Sequence, residues 1–144
     1  MGEKEIRDKM IRYQLLENQV KALSERREFL LSRVMEMDMT IDSLEEVVKN
    51  RGNEISLPLG SGIHVSGTLS KTNKIIAEVG ANIAVECTSE KAKKILDKRK
   101  DLINDALKNL ENNIVNLSNE LAKLEPEIRN MIAQSRSSPK SEAG

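Results

Sequence analysis

The chain has 144 residues, with 23 basic and 23 acidic side chains, so its formal net charge is zero. That balance exerts no overall pull toward nucleic acid or an anionic membrane surface. Charged residues make up 32% and aromatics 1%, Tyr13 and Phe29 being the only rings, which excludes a broad globular core and suits burial along narrow helical seams.

Residues 1–52 read as one long helix. Positions seven apart are Ile6, Tyr13, Val20, Arg27, Val34, Ile41 and Val48, and the interleaved set is Lys9, Leu16, Leu23, Leu30, Met37 and Leu44. A sustained seven-residue apolar repeat predicts a left-handed coiled coil. Arg27 interrupts the seam at mid-arm, either to meet an acid across the pair or to snorkel out. Arg51-Gly52-Asn53 supplies a glycine suited to a left-handed helix cap. Nothing in the opening Met1-Gly2-Glu3-Lys4-Glu5 resembles an apolar signal core, and no run approaches the roughly 18 apolar residues of a membrane span. With Cys87 the single cysteine, no internal disulfide is possible, and a soluble cytoplasmic chain is the expectation.

Residues 53–88 change period from seven to two. Ile55, Leu57 and Leu59 alternate with polar neighbours, Gly60-Ser61-Gly62 turns the chain, and Ile63, Val65 and Leu69 resume the alternation. After Ser70 to Asn73, a second pair of strands carries Ile75, Ala77 and Val79, then Ile83, Val85 and Cys87, joined through Gly80-Ala81-Asn82. Two successive hairpins are predicted. Pro58 has no N–H to donate and belongs at a sheet edge or a bulge. So few residues cannot bury a self-sufficient core, which makes intermolecular strand pairing the expected remedy and the chain an expected oligomer.

Residues 89–134 return to the heptad, with Lys93, Lys100, Leu107, Ile114, Leu121 and Ile128 in one set and Leu96, Ile103, Leu110, Leu117, Leu124 and Met131 in the other. Thr88 or Ser89 is the expected N-cap, with Glu90 in the first turn. Each arm spans about 70 Å if helical throughout, and matched lengths make antiparallel pairing natural. Pro126 falls inside this repeat. It costs an uninterrupted helix roughly 3 kcal/mol, so the helix is expected to end near Leu124 and restart, or to kink. Residues 135–144 are short of apolar side chains and read as a disordered tail. The fold class is therefore α+β: a long antiparallel coiled-coil hairpin with a small head of two β-hairpins.

Enzymatic chemistry finds no foothold. His64 has no second ligand type spaced near it for a metal, Cys87 lacks a histidine partner, and Gly60-Ser61-Gly62 lacks the lysine and helix of a phosphate loop. No cofactor is expected. The basic run Lys91, Lys93, Lys94, Lys98, Arg99 and Lys100 reads first as a solvated face and second as a contact for an acidic surface. Absent aromatic platforms and balanced charge count against nucleic acid.

Helix, two hairpins, helix resembles the alpha-class subunit of prefoldin, an archaeal hexameric chaperone. Leu57-Pro58-Leu59-Gly60-Ser61-Gly62 is similar to that family's first hairpin turn, and Val79-Gly80-Ala81-Asn82-Ile83-Ala84-Val85-Glu86 to its second. The likeness covers about residues 5–134, with a departure in the absence of an aromatic near Ile83. The resemblance implies two such subunits with four beta-class partners, their strands joined in an intersubunit β-barrel formed by Ile55, Leu57, Leu59, Ile63, Val65, Leu69, Ile75, Val79, Ile83 and Val85. It further implies ATP-independent capture of non-native polypeptides at the coiled-coil tips and delivery to a group II chaperonin. The tip set is Ile6, Met10, Ile11, Ile128, Met131 and Ile132, where unbranched methionine suits promiscuous contact and Pro126 is expected to splay the arms. The competing expectation is a self-assembling scaffold or filament protein without client transfer.

Overall fold

A computed structural model describes residues 2–71 and 73–137. Helix α1 runs Gly2–Lys49, followed by β1 (Glu54–Gly60), β2 (Ile63–Thr68), β3 (Ile75–Gly80) and β4 (Ile83–Cys87), and then by helix α2 (Ser89–Ser137). Helix α2 thus passes three residues beyond the expected end at Gln134. The remainder of the expected tail, residues 138–144, lies outside the described residues. The chain separates into two compact units, with divisions after Leu31 and after Asn104.

In the unit formed by the start of α1 and the end of α2, the helices pair antiparallel. Lys9 Nζ donates to Glu127 at 2.7 Å and Arg12 Nη2 to Glu120 at 3.4 Å, so the partner number falls as the α1 number rises. Leu16, Leu107, Leu110 and Leu124 are buried, with Ile6, Tyr13, Val20, Leu23, Ile114, Leu117, Leu121 and Ile128 half-buried around them. Every one is a heptad position read from the sequence. Pro126 lies inside α2, which continues without a break. The expected stop and restart near Leu124 does not occur; the proline removes one N–H from the ladder while the flanking turns keep the helix.

The second unit holds the ends of both helices next to the strands. Met37, Ile41 and Ala92 are buried there, and Lys93 meets Glu45 at 2.9 Å while Lys100 meets Asp38. The seam departs from expectation at the start of α2, where Ala92 is buried beside the heptad position Lys93, and at the end of α1. Val48 is 47% exposed and Val47 takes its position, so Ile41, Leu44 and Val47 advance in steps of three. A three-residue step is how a coiled coil loses register locally. Helix α1 closes through the left-handed Gly52 (φ 84°), and α2 opens on Thr88, whose Oγ1 accepts from Lys91 N–H at 3.2 Å.

Strands β1 and β2 form one antiparallel pair, β3 and β4 another, and neither hairpin is joined to the other by a ladder. The two are built alike, twenty residues apart. Register pairs Leu57 with Val65 and Pro58 with His64, then slips so that Gly60 meets Ile63, leaving Leu59 as an extra residue. Ala77 pairs with Val85 and Glu78 with Ala84, then Gly80 meets Ile83, leaving Val79 extra. Gly60, Ser61 and Gly62 have φ of 116°, 51° and 81°; Gly80, Ala81 and Asn82 have 122°, 49° and 62°. Two consecutive left-handed residues after a bulge match the right-handed twist of the flanking strands.

Candidate binding surfaces

Among the described residues there is no catalytic or metal-binding constellation to build from: no group of three His, Cys, Asp or Glu is placed to hold a metal. No described helix is long and apolar enough to cross a membrane. What the molecule presents instead is apolar surface: single exposed side chains along the helices, such as Phe29, Met35, Met39 and Leu102, and two places where such residues gather.

The first lies on α1 near its start. Ile6, Met10, Ile11, Tyr13 and Ile128 floor an open groove of about 890 Å³, rimmed by Glu3, Arg7, Gln14, Glu17 and Glu125. Its position follows from helical geometry. Ile6 and Tyr13 belong to the seam, but Met10 and Ile11 stand one and two residues past Lys9, on the flank of the helix. They are 52% and 53% exposed, whereas Ile6 and Ile128 are half-buried. Four of the six expected tip residues therefore share one groove. Met131 and Ile132 are half-buried and do not line it. Tyr13 joins the groove although its sequence position marked it only as seam.

Ion pairs brace that neighbourhood. Lys9 beside Glu127 holds the Glu127 carboxyl below the usual carboxylate range, through a hydrogen bond and its charge. Arg129 Nη2 reaches Glu125 at 2.6 Å, one turn apart on α2. Arg27 meets no acid of the facing helix; its Nη2 lies 3.3 Å from Glu28 and its buried Nε has no partner among the described residues. Of the two readings of Arg27, snorkelling is the one the structure adopts.

The second surface is the strand region. Leu57, Leu59, Ile63 and Val65 are between 44% and 69% exposed, and Val79 and Ile83 are 46% and 58%. In the first hairpin these share a face with half-buried Ile55 and Leu69, while Ser56, Pro58, His64 and Ser66 occupy the other. In the second, Ile75 and Val85 are half-buried and Cys87 is buried. Ile76, absent from the expected set, is 71% exposed and pairs with Glu86 on the opposite face. Exposed apolar faces on two-stranded sheets are unstable in water alone and mark association surfaces. Much of the basic run on α2 is engaged internally: Lys93 with Glu45, Lys100 with Asp38, and Arg99 with the backbone carbonyl of Glu78. Lys91, Lys94 and Lys98 remain exposed.

Comparison with known proteins places these surfaces in a family. The model of the prefoldin subunit family matches residues 16–134. Prefoldin subunit alpha of Methanosarcina acetivorans is 27% identical over 127 residues, covering 85% of this chain and 89% of that protein. Prefoldin subunit alpha of Nitrosopumilus maritimus is 30% identical over 99 residues, covering 69% and 68%. Among solved structures, the cryo-EM structure of filamentous PFD from Methanocaldococcus jannaschii aligns with a TM-score of 0.55 at 24% identity, over 85% of this chain and 96% of that one. With the heptad arms and twin hairpins already in place, these matches show that the chain belongs to the prefoldin family, as a subunit of its alpha class.

Proposed function

We propose that this chaperone subunit captures non-native polypeptides, without ATP, in the groove lined by Ile6, Met10, Ile11, Tyr13 and Ile128, and passes them to a group II chaperonin. The observation that carries the reading is the exposure of Met10 and Ile11 beside an open apolar floor. A thioether chain repacks against differing client side chains at little cost, which suits weak and promiscuous contact. Met131 and Ile132 stand further along α2 as a supporting apolar reserve, and Pro126 weakens the ladder between them and Leu124. The hairpin faces join two copies of this chain to four beta-class subunits in an intersubunit β-barrel, which buries Leu57, Leu59, Ile63, Val65, Val79 and Ile83. The working compartment is the cytoplasm.

Suppression of aggregation of a denatured client, followed by light scattering, tests the capture site. Met10→Ser/Ile11→Ser is expected to lose most of the suppression while keeping helix content and particle mass, and Pro126→Ala to lower it by tightening the arm. Undiminished suppression by the double variant would remove the groove from the mechanism.

A second reading has its own support in the filament formed by the Methanocaldococcus protein. Here the chain assembles with itself into a scaffold without client transfer. Native mass of the purified chain, with and without a beta-class subunit, separates the two: a defined particle that needs the partner supports the hexameric chaperone, and an open-ended series formed alone supports the filament.

A further inference from the structure

The two hairpins share more than their turns. In an antiparallel ladder, pairs that exchange both hydrogen bonds alternate with pairs whose N–H and C=O point away from the partner strand. Pro58, with no N–H to exchange, sits in a pair of the outward type opposite His64. Twenty residues on, beside the same bulge, Glu78 occupies the equivalent place opposite Ala84. Its carbonyl is taken from outside by the Arg99 guanidinium of α2. So at one and the same position, each leading strand has its outer edge disabled. In β1 a donor is missing; in β3 an acceptor is occupied. Among the described residues no such contact is made to the backbone of His64, Ser66, Thr68, Ala84 or Glu86, the outward positions of β2 and β4.

We propose that Pro58 and the Arg99–Glu78 contact are equivalent edge stops. They confine an incoming strand, supplied by another prefoldin-type hairpin, to the base of β1 and β3, and leave the whole outer edge of β2 and β4 open to it. The inference rests on the reading of the hairpins as the assembly surface. Its content is the register: a strand excluded from the turn end of one edge but admitted along the full length of the other must add with a stagger. Stagger is the condition for strands to tilt and a sheet to close on itself. Without the stops a neighbour can slide toward the turn and pair in more than one register, and each one-residue slip exchanges the apolar face for the polar one.

Pro58→Thr, which restores an N–H in a strand-favouring residue, and Arg99→Ala, which frees the Glu78 carbonyl, are compared with the full-length chain by native mass spectrometry, alone and with a beta-class subunit. The expected result is one particle mass for the unaltered chain and a spread of masses for each variant, with Arg99→Lys restoring the single mass. Hydrogen exchange on the assembled Pro58→Thr variant is expected to show its new amide protected by a neighbour. Mass distributions equal to that of the unaltered chain would overturn the stops. Loss of assembly with the hairpin amides still protected would overturn them as well, since the contacts would then promote pairing rather than limit it. An unaltered chain that forms no particle in either setting would remove the assembly reading itself.

Discussion

Arg27 occupies a seam position between Leu23 and Leu30 and is half-buried, with the Nε of its guanidinium enclosed and unmatched among the described residues. A desolvated donor without an acceptor costs about 1–3 kcal/mol, and a leucine there would add apolar contact. Arg27→Leu is therefore expected to raise the thermal midpoint, with a gain of about 1–2 kcal/mol in chemical unfolding; an unchanged midpoint would mean that the guanidinium's own contacts offset the loss. Glycines sort by backbone rather than by space. Nothing lies within 4 Å of a Cβ built on Gly60, yet its φ of 116° is hostile to any side chain, so Gly60→Ala is expected to cost the first hairpin about 1–2 kcal/mol. Gly67 has an ordinary φ and its Cβ would touch Leu57 Cδ1 at 3.6 Å, so Gly67→Ala is expected to hold or gain stability. Amide exchange along the β1–β2 ladder reads both.

Between the helices, polarity changes sign. Near the start of α1 the cross-helix bases are Lys9 and Arg12 and the acids Glu120 and Glu127; near its end the acids are Asp38 and Glu45 and the bases Lys93 and Lys100. Both helices thus run from basic to acidic, N to C, so antiparallel pairing matches charge and parallel pairing would set Lys9 and Arg12 against Lys93 and Lys100. Lys9→Glu is expected to lower the thermal midpoint and Lys9→Glu/Glu127→Lys to restore it. Glu45 and Glu127 are held below the ordinary carboxylate value of 4.5 by Lys93 and Lys9. Their contribution is complete above that value and lost as pH falls through the depressed one. Lys93 and Lys100 are raised above 10.5 by Glu45 and Asp38, so theirs is complete below that value and lost as pH rises through the raised one. Thermal midpoints should fall at both extremes and stay flat between. Glu45 and Glu127 are exposed and Lys93 and Lys100 half-buried, so high salt should shrink both limbs without abolishing them.

Across the whole chain, the heptads foretold nearly every seam residue because burial in a two-helix seam is dictated by spacing alone, and the strand alternation foretold both hairpins for the same reason. What spacing could not reach depends on where a partner stands. Met10 and Ile11 become part of the floor of a groove only once Ile128 and Glu125 are placed beside them. Val47 displaces Val48 because the helix end answers to the adjoining hairpin as well as to the repeat. Arg99 looked like one more charge in a basic run, and its carbonyl partner is a backbone atom that carries no sequence signal. The twenty-residue echo between Leu59-Gly60-Ser61-Gly62-Ile63 and Val79-Gly80-Ala81-Asn82-Ile83 was open to inspection, and it is the signal that would have paired Pro58 with Glu78.

Among the described residues no side chain is completely enclosed, even at the buried leucines of the seam. A core one layer thick has no interior in the usual sense, for each layer rests on the layers before and after it and on nothing else. Such a structure accumulates its stability as a zipper does, tooth by tooth. Damage to one layer is felt by its neighbours and fades beyond them. Opening can then start at a helix end and stop part-way, in graded steps, while the hairpins keep their bonds. Yielding by degrees is therefore a mechanical property of the seam itself, and it is the property on which the proposed capture of chains of no fixed shape draws.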